Sequence, residues 1–368
     1  MKILLLPNSL KGSLSAGQTV RVLQHALSGK HLLKSFPLSD GGDGFIDFFA
    51  QKHSSSKQVS LYAKNAFGKT ARTSYLWLPE QKTAVIETAR ICGLGTAQKK
   101  DLNPLKASSF GVGQTILHAI KKGAKKIYIG LGGVACNDGG AGIAQALGAR
   151  FSDKQGKEIS HGAAPLLQLA SLDITALKKN LHGIKIYAVA DVTNPLLGPR
   201  GSARVYGPQK GATPLQVCTL EKALAHYARV VKKQTGKDIA HTPSTAAAGG
   251  LCGGLHGLCG AQIILGADFL RKNLPLTTWV KWADLVVTSE GKLDTQTLYG
   301  KAPLAVLQTA ATCHKPVLFI CGQCEEKVFK KLPGGLKMRV VCLADFAKSE
   351  QDSKQHASRY IRKILNNL

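Results

Sequence analysis

Six loops carry most of the residues whose types and spacing suit chemistry. They are PNSLKGS at 7–13, DGGDG at 40–44, GLGGVACNDGG at 130–140, DVTNPLLGP at 191–199 leading to GPQKG at 207–211, AAAGGL at 246–251, and SEGKLDTQT at 289–297. Backbone without Cβ atoms lets N–H groups come close to an anion. Lysines beside such backbone add compact positive charge, and carboxylates hold Mg²⁺ or accept a proton. Together these groups suit phosphoryl transfer, in which catalysis is mainly positioning and stabilisation of charge. Each piece also has a plainer use: a glycine-rich turn makes a tight connection, and an Asp after a strand caps the next helix. Six such loops following apolar stretches favour the chemical reading.

One loop carries a rival. Gly130-x-Gly132-x-x-Ala135 follows an apolar run as a dinucleotide fingerprint would, with Asp153 about where a ribose-binding acid belongs. That alternative is an NAD-dependent dehydrogenase. Against it, Gly139 and Gly140 would stand in the first turn of the helix, and Asp138 would face a pyrophosphate with like charge. The sequence contains no GxxxxGK[ST] phosphate loop and neither the HRD nor the DFG kinase signature.

The elements that must position these loops are short apolar strands alternating with helices. Strands are expected at Lys2–Pro7, Lys126–Gly130, Ile184–Ala190, Leu285–Thr288, Val317–Cys321 and Arg339–Leu343, with SFPLS at 35–39 strand-like. Near-continuous apolar runs of this kind belong to parallel strands covered on both faces. Helices are expected at about Ala16–Ser28, Gly111–Lys121, Gly140–Ala149, Leu215–Lys233 and Ala302–Ala311. The alternation is that of an α/β protein. Residues 57–90 instead alternate polar and apolar between turn residues, as an antiparallel meander does, which implies a second, mixed domain.

The 368 residues suffice for about two domains. Aromatic residues make up 6%, too few for a stacking-rich binder of single-stranded nucleic acid. The net charge of +27 leaves open a non-catalytic polyanion binder, but the basic residues are scattered as pairs such as Lys99-Lys100 and Lys121-Lys122, without a basic arm. No nucleic-acid partner is expected. No apolar run reaches the ~18 residues of a membrane span, and the run Ile3–Leu6 is short for the ~7–15 residues of a signal peptide. A cytoplasmic protein is expected. Nine cysteines at irregular spacing do not read as a disulfide framework, and Cys321-Gly-Gln-Cys324 lacks a second ligand pair for zinc.

Taken together, the segments PNSLKGSLSA, DGGDG, ETARICGL, NPLKASSFGVGQ, IGLGGVACNDGGAG, ADVTNPLLGPRGSARVYGPQKGAT, AAAGGL, ADLVVTSEGKLDTQTLYGKAP and KPVLFICG resemble the bacterial glycerate kinase family over almost the whole chain. The string ADVTNPLLGP…GPQKGA is the most specific of them. The resemblance implies a flavodoxin-like, doubly wound parallel domain, placed at 1–56 and 284–368, and a second mixed α/β domain with the meander at 57–283. It implies an active site in the cleft between them, ATP and Mg²⁺, D-glycerate as the small-molecule substrate, and room for a homo-oligomer. On that reading Asp191, Asp294 and Lys292 are the catalytic candidates. Lys11, Ser13, Asn137, Asn194 and Lys210 would bind substrate, while Gly132, Gly133, Gly249 and Gly250 would cradle the cofactor. Asp40, Asp43, Asp138 and Glu290 would hold the metal. Some positions depart from the family pattern: Asn8 stands for Asp, Val134 and Cys136 for Ser and Thr, Ser289 for Gly, and Lys292 for Arg. The last swap loses bidentate recognition of an anion.

Overall fold

A computed structural model describes residues 1–95, 101–294, 297 and 300–365. Lys99-Lys100, and Thr295-Gln296 of the last loop, lie outside the described residues. In chain order the strands are β1 (Lys2–Pro7), β2 (Leu32–Ser35), β3 (Lys57–Lys64), β4 (Thr70–Leu78), β5 (Thr83–Glu87), β6 (Lys126–Leu131), β7 (Arg150–Ser152), β8 (Ser171–Asp173), β9 (Lys185–Ala190), β10 (Gln262–Leu265), β11 (Leu285–Leu293), β12 (Val317–Cys324) and β13 (Met338–Cys342).

The chain forms two compact units, Met1–Phe48 with Leu265–Leu368, and Phe49–Ile264. The crossings fall at 48/49 and 264/265, where the sequence reading placed them at 56/57 and 283/284. An aromatic cluster draws 265–283 into the first unit: Phe269 packs on Phe45 (5.3 Å between ring centres) and Phe48 (5.1 Å), and Trp279 on Phe36 (5.7 Å).

The first unit has one parallel sheet in the order β13-β12-β11-β1-β2. Counted along the unit, that is the flavodoxin-like order 2-1-3-4-5. Its apolar strands are buried among helices; Ile3, Leu5, Val287 and Ile320 meet Leu23 of helix Ala16–Leu27 and Ile361 of helix Ala357–Leu365. Ser15 starts the first of these helices with a capping box closed by Gln18. Two strands outrun their apolar cores. β11 and β12 continue to Leu293 and Cys324, pairing Glu290 with Cys321 and Lys292 with Gln323. Ser289–Leu293 therefore lie in the strand and not in a loop after it, because the ladder bonds backbone groups whatever the side chain. Conversely, of SFPLS only Ser35 is in β2, although Phe36 and Leu38 still donate to Leu5 and Pro7.

The second unit has a mixed six-stranded sheet, β10-β9-β6-β5-β4-β3. β3, β4 and β5 form the antiparallel meander, and β5, β6 and β9 run parallel. Thr213 caps helix Pro214–Thr235 through a box with Gln216, Pro214 occupies the first turn, and Gly236 ends the helix with φ +75°. The helix expected over 140–149 is shorter, Ala141–Ala146, and Gly148 turns away at φ +101°. Ile127, Ile129, Val112, Ile116 and Leu224 are completely buried in this unit's core.

Candidate functional site

In an open parallel sheet, ligands bind beyond the carboxyl ends of the strands. In the first unit, those ends gather polar residues from three of the six loops. Asn8, 5% exposed, leaves β1. Its N–H donates to the Ser289 carbonyl (3.1 Å), the Ser289 hydroxyl donates back to the Asn8 carbonyl (2.9 Å), and Asn8 Nδ2 donates to Asp40 Oδ2 (3.2 Å). Asp40 is itself buried, and Gly266 lies so near that a Cβ there would sit 2.4 Å from Asp40 Cβ. On β11, Glu290 is buried with both oxygens engaged, Oε1 by Lys301 Nζ at 2.7 Å and Oε2 by the Thr297 hydroxyl at 2.7 Å. Burial pushes its pKa up; Lys301 and Thr297 oppose this, and the charge of Asp40 adds to it. Two residues on, and so on the same face of the strand, Lys292 is half-exposed. It bonds Glu325, which raises its pKa, and stands 4.0 Å from Asp294 Oδ2. Gly291 brings the first loop alongside, since a Cβ on it would lie 2.8 Å from the Lys11 nitrogen. Lys11 and Asp43 are exposed. Ser13, expected to bind substrate, instead donates its hydroxyl to the Lys354 carbonyl at 2.5 Å.

In the second unit, the loop after β6 is held from several sides. Asp138 is completely buried. Its Oδ2 accepts from the Ser109 N–H (2.8 Å) and hydroxyl (2.9 Å), the Ser108 hydroxyl (3.3 Å) and the Gly142 N–H (3.2 Å), and its Oδ1 from the Gly140 N–H (3.2 Å). These donors make the carboxylate a clamp on the loop at the start of helix Ala141–Ala146, at the position where the sequence led us to expect a metal ligand. Lys210, expected to meet substrate, is 2% exposed and donates to the Cys136 carbonyl (2.7 Å) and Asn137 Oδ1 (3.2 Å). Burial lowers its pKa to about 8. The Cys136 thiol bonds that of Cys92, 3.9 Å away, and this bond, together with burial, raises its pKa. Gly249 and Gly250 (φ +69° and +85°) serve loop packing, because a Cβ on Gly249 would lie 2.1 Å from the Cys136 carbonyl oxygen. Asn194 shapes its own loop, donating to the Arg200 carbonyl (2.7 Å) and accepting from the Tyr206 hydroxyl (3.3 Å). Asp191 follows β9 directly and is half-buried. Gly132 and Gly133 are the more open part of their loop.

The dinucleotide alternative finds no support. No helix starts at Gly132–Ala135; residues 132–140 are irregular, and Asp153 accepts from Gln155 and Lys157 within its own turn. Sequence reasoning missed Lys301, Thr297, Ser108, Ser109 and Ser202 as partners of these groups. All five stood within the recognised segments without an assigned role, Thr297 as the last residue of the sixth loop. Glu325, the partner of Lys292, carried no signal.

The model of the glycerate kinase family matches residues 3–368. A glycerate kinase of Halalkalibacterium halodurans is 36% identical over 323 residues, 87% of this chain and 85% of its own. A glycerate 2-kinase of Escherichia coli is 36% identical over 331 residues, 89% of this chain and 87% of its own. A crystal structure from Salmonella typhimurium LT2, described as a glycerate kinase 2, matches with a TM-score of 0.80 at 35% identity, covering 100% of this chain and 96% of that one. With the flavodoxin-like sheet and its polar strand ends in place, the chain belongs to the glycerate kinase family and is a kinase, with ATP as co-substrate and a small molecule as acceptor.

Proposed function

We propose that the protein transfers the γ-phosphoryl group of ATP to a hydroxyl of D-glycerate, giving phosphoglycerate, with Mg²⁺ as the metal and in the cytoplasm. The observation that carries the reading is the grouping of Asp40, Glu290, Lys292 and Asp294 at the carboxyl ends of the first unit's parallel strands. Among the described residues, no set of three or more His, Cys, Asp or Glu is placed to hold a metal alone. Mg²⁺ does not require one, since it binds through one or two carboxylates plus substrate phosphates. Asp40, with one oxygen engaged by Asn8, and the exposed Asp43 are hard oxygen donors that fit; Glu290, with both oxygens engaged, supports the site through Lys301. Bound there, Mg²⁺ would neutralise phosphate charge.

The chain's own residues do the rest. Lys292 offers a compact cation at the edge of the sheet, and Lys11 another on the neighbouring loop, for a carboxylate or the transferring group. Asp294 and Asp191 are the carboxylates suited to orient the acceptor hydroxyl and take its proton. Gly132 and Gly133 present backbone to phosphate oxygens. Among the described residues no helix is long and apolar enough to cross a membrane. The test is ADP release from purified protein with Mg²⁺, ATP and D-glycerate, followed by ³¹P NMR of the product. A phosphomonoester signal on the 2- or 3-hydroxyl is expected. No glycerate-dependent ADP release would overturn the reading.

A further inference from the structure

Asn137 is completely buried, and its Oδ1 accepts from Lys210 Nζ (3.2 Å) and the Ser202 hydroxyl (3.1 Å). An ammonium has only protons to offer, so the amide atom facing Lys210 must be the oxygen. That settles the orientation of the amide: Nδ2, with two N–H groups, is turned the other way. Among the described residues no acceptor meets it. Buried amide donors are rarely left without an acceptor, because they give up their bonds to water. Lys210 itself is closed in. Its bonds run to a carbonyl and an amide, and Gly249 packs so tightly over the pair that a Cβ would lie 2.7 Å from Nζ and 2.8 Å from Oδ1. A lysine held this way acts on its neighbour and not on a ligand.

We propose that Lys210 is a positioning residue: it locks the Asn137 amide so that Nδ2 donates to an oxygen of the acid substrate or of the transferring phosphoryl group. The proposal rests on the kinase reading above. Both ligand sources share one chemistry, an anionic oxygen, and the kinetics separate them. A rise confined to the KM of glycerate assigns Nδ2 to the acid, whereas a fall in kcat with both KM values held assigns it to the phosphoryl group.

The decisive variant is Asn137→Asp. It keeps an oxygen facing Lys210 and Ser202 but replaces the donor with an acceptor. A drop in kcat/KM of about 10²–10³-fold is expected, the size seen when one donor to developing charge is removed, with a thermal midpoint no lower than wild type. Unchanged kcat/KM would overturn the proposal and leave the amide with internal contacts only, an ordered water among them. Lys210→Met tests the route. It should lower kcat/KM in the wild-type background and add less than about twofold in an Asn137→Ala background, because its effect passes through the amide. Independent, multiplicative losses would mean that Lys210 touches substrate and would also overturn the proposal. Should Lys210→Met not fold, Asn137→Asp decides alone. A wild-type protein without glycerate-dependent ADP release would sink the kinase reading, a different result from an active wild type and an equally active Asn137→Asp.

Discussion

Replacing Asp138 by Asn tests whether this acid clamps a loop or holds a metal. Four donors converge on Oδ2 and one on Oδ1. The amide of Asn would keep its oxygen on the crowded side, so its NH₂ would face the Gly140 N–H, two donors pointing at each other. One bond to a charged acceptor is lost, about 1.5–3 kcal/mol, and the other four lose charge assistance, which roughly halves them. Removing a buried charge returns part of that through relieved desolvation. The net expectation is a loss of about 2–4 kcal/mol, or roughly 5–15 °C in melting temperature for a unit of this size. The assay is thermal melting by circular dichroism with and without Mg²⁺, paired with a Mg²⁺ titration of ADP release. A melting point within a degree or two of wild type, with a tenfold higher Mg²⁺ requirement, would refute the clamp and restore the metal role.

Three other outcomes follow from the same geometry. Lys210 has a folded pKa of about 8 against an ordinary 10.5, so between those pH values the unfolded chain keeps a proton that the folded chain releases, and stability due to this group rises with pH. Urea unfolding near pH 7.5 and 10 should show the difference between wild type and Lys210→Met moving in favour of wild type by up to about 3 kcal/mol; a constant difference would contradict the shift. Gly249→Ala combines a left-handed backbone with a Cβ 2.1 Å from a carbonyl oxygen and should cost about 3 kcal/mol or more, whereas Gly236→Ala, at φ +75° with nothing within 4 Å, should cost about 1–2 kcal/mol for backbone alone, both read by denaturant midpoints. Lys292→Met removes a half-exposed ion pair worth at most about 1 kcal/mol, so melting should barely change while kcat/KM falls about 100-fold or more; a loss under threefold would take Lys292 out of the site.

Much of the fold was legible because it is local. β1 coincides with its apolar run, β6 and β9 lie within a residue of theirs, and the meander showed in the alternation of residues 57–90. What escaped depends on a partner. β11 runs on through Ser289, Glu290, Gly291 and Lys292 because β12 beside it supplies the ladder, and nothing in that polar stretch announces a strand. Residues 265–283 join the first unit through aromatic contacts with Phe36, Phe45 and Phe48, hundreds of positions earlier in the chain.

The candidate site divides the same way. Residue types and their order alone determined which loops carry glycines, acids and lysines, and the family to which those loops belong. Only tertiary structure decided which polar atoms remain open to a ligand. Asp138, Asn194 and Lys210 look as reactive in the sequence as Asp40 or Lys292. Asn194 bonds within its own loop, to Arg200 and Tyr206, whereas partners of the other two come from elsewhere in the chain: Ser109 stands 29 residues from Asp138, and Asn137 stands 73 from Lys210. A buried polar group must find its partners wherever folding brings them, so its availability for chemistry is a property of the packed molecule and not of the motif that contains it.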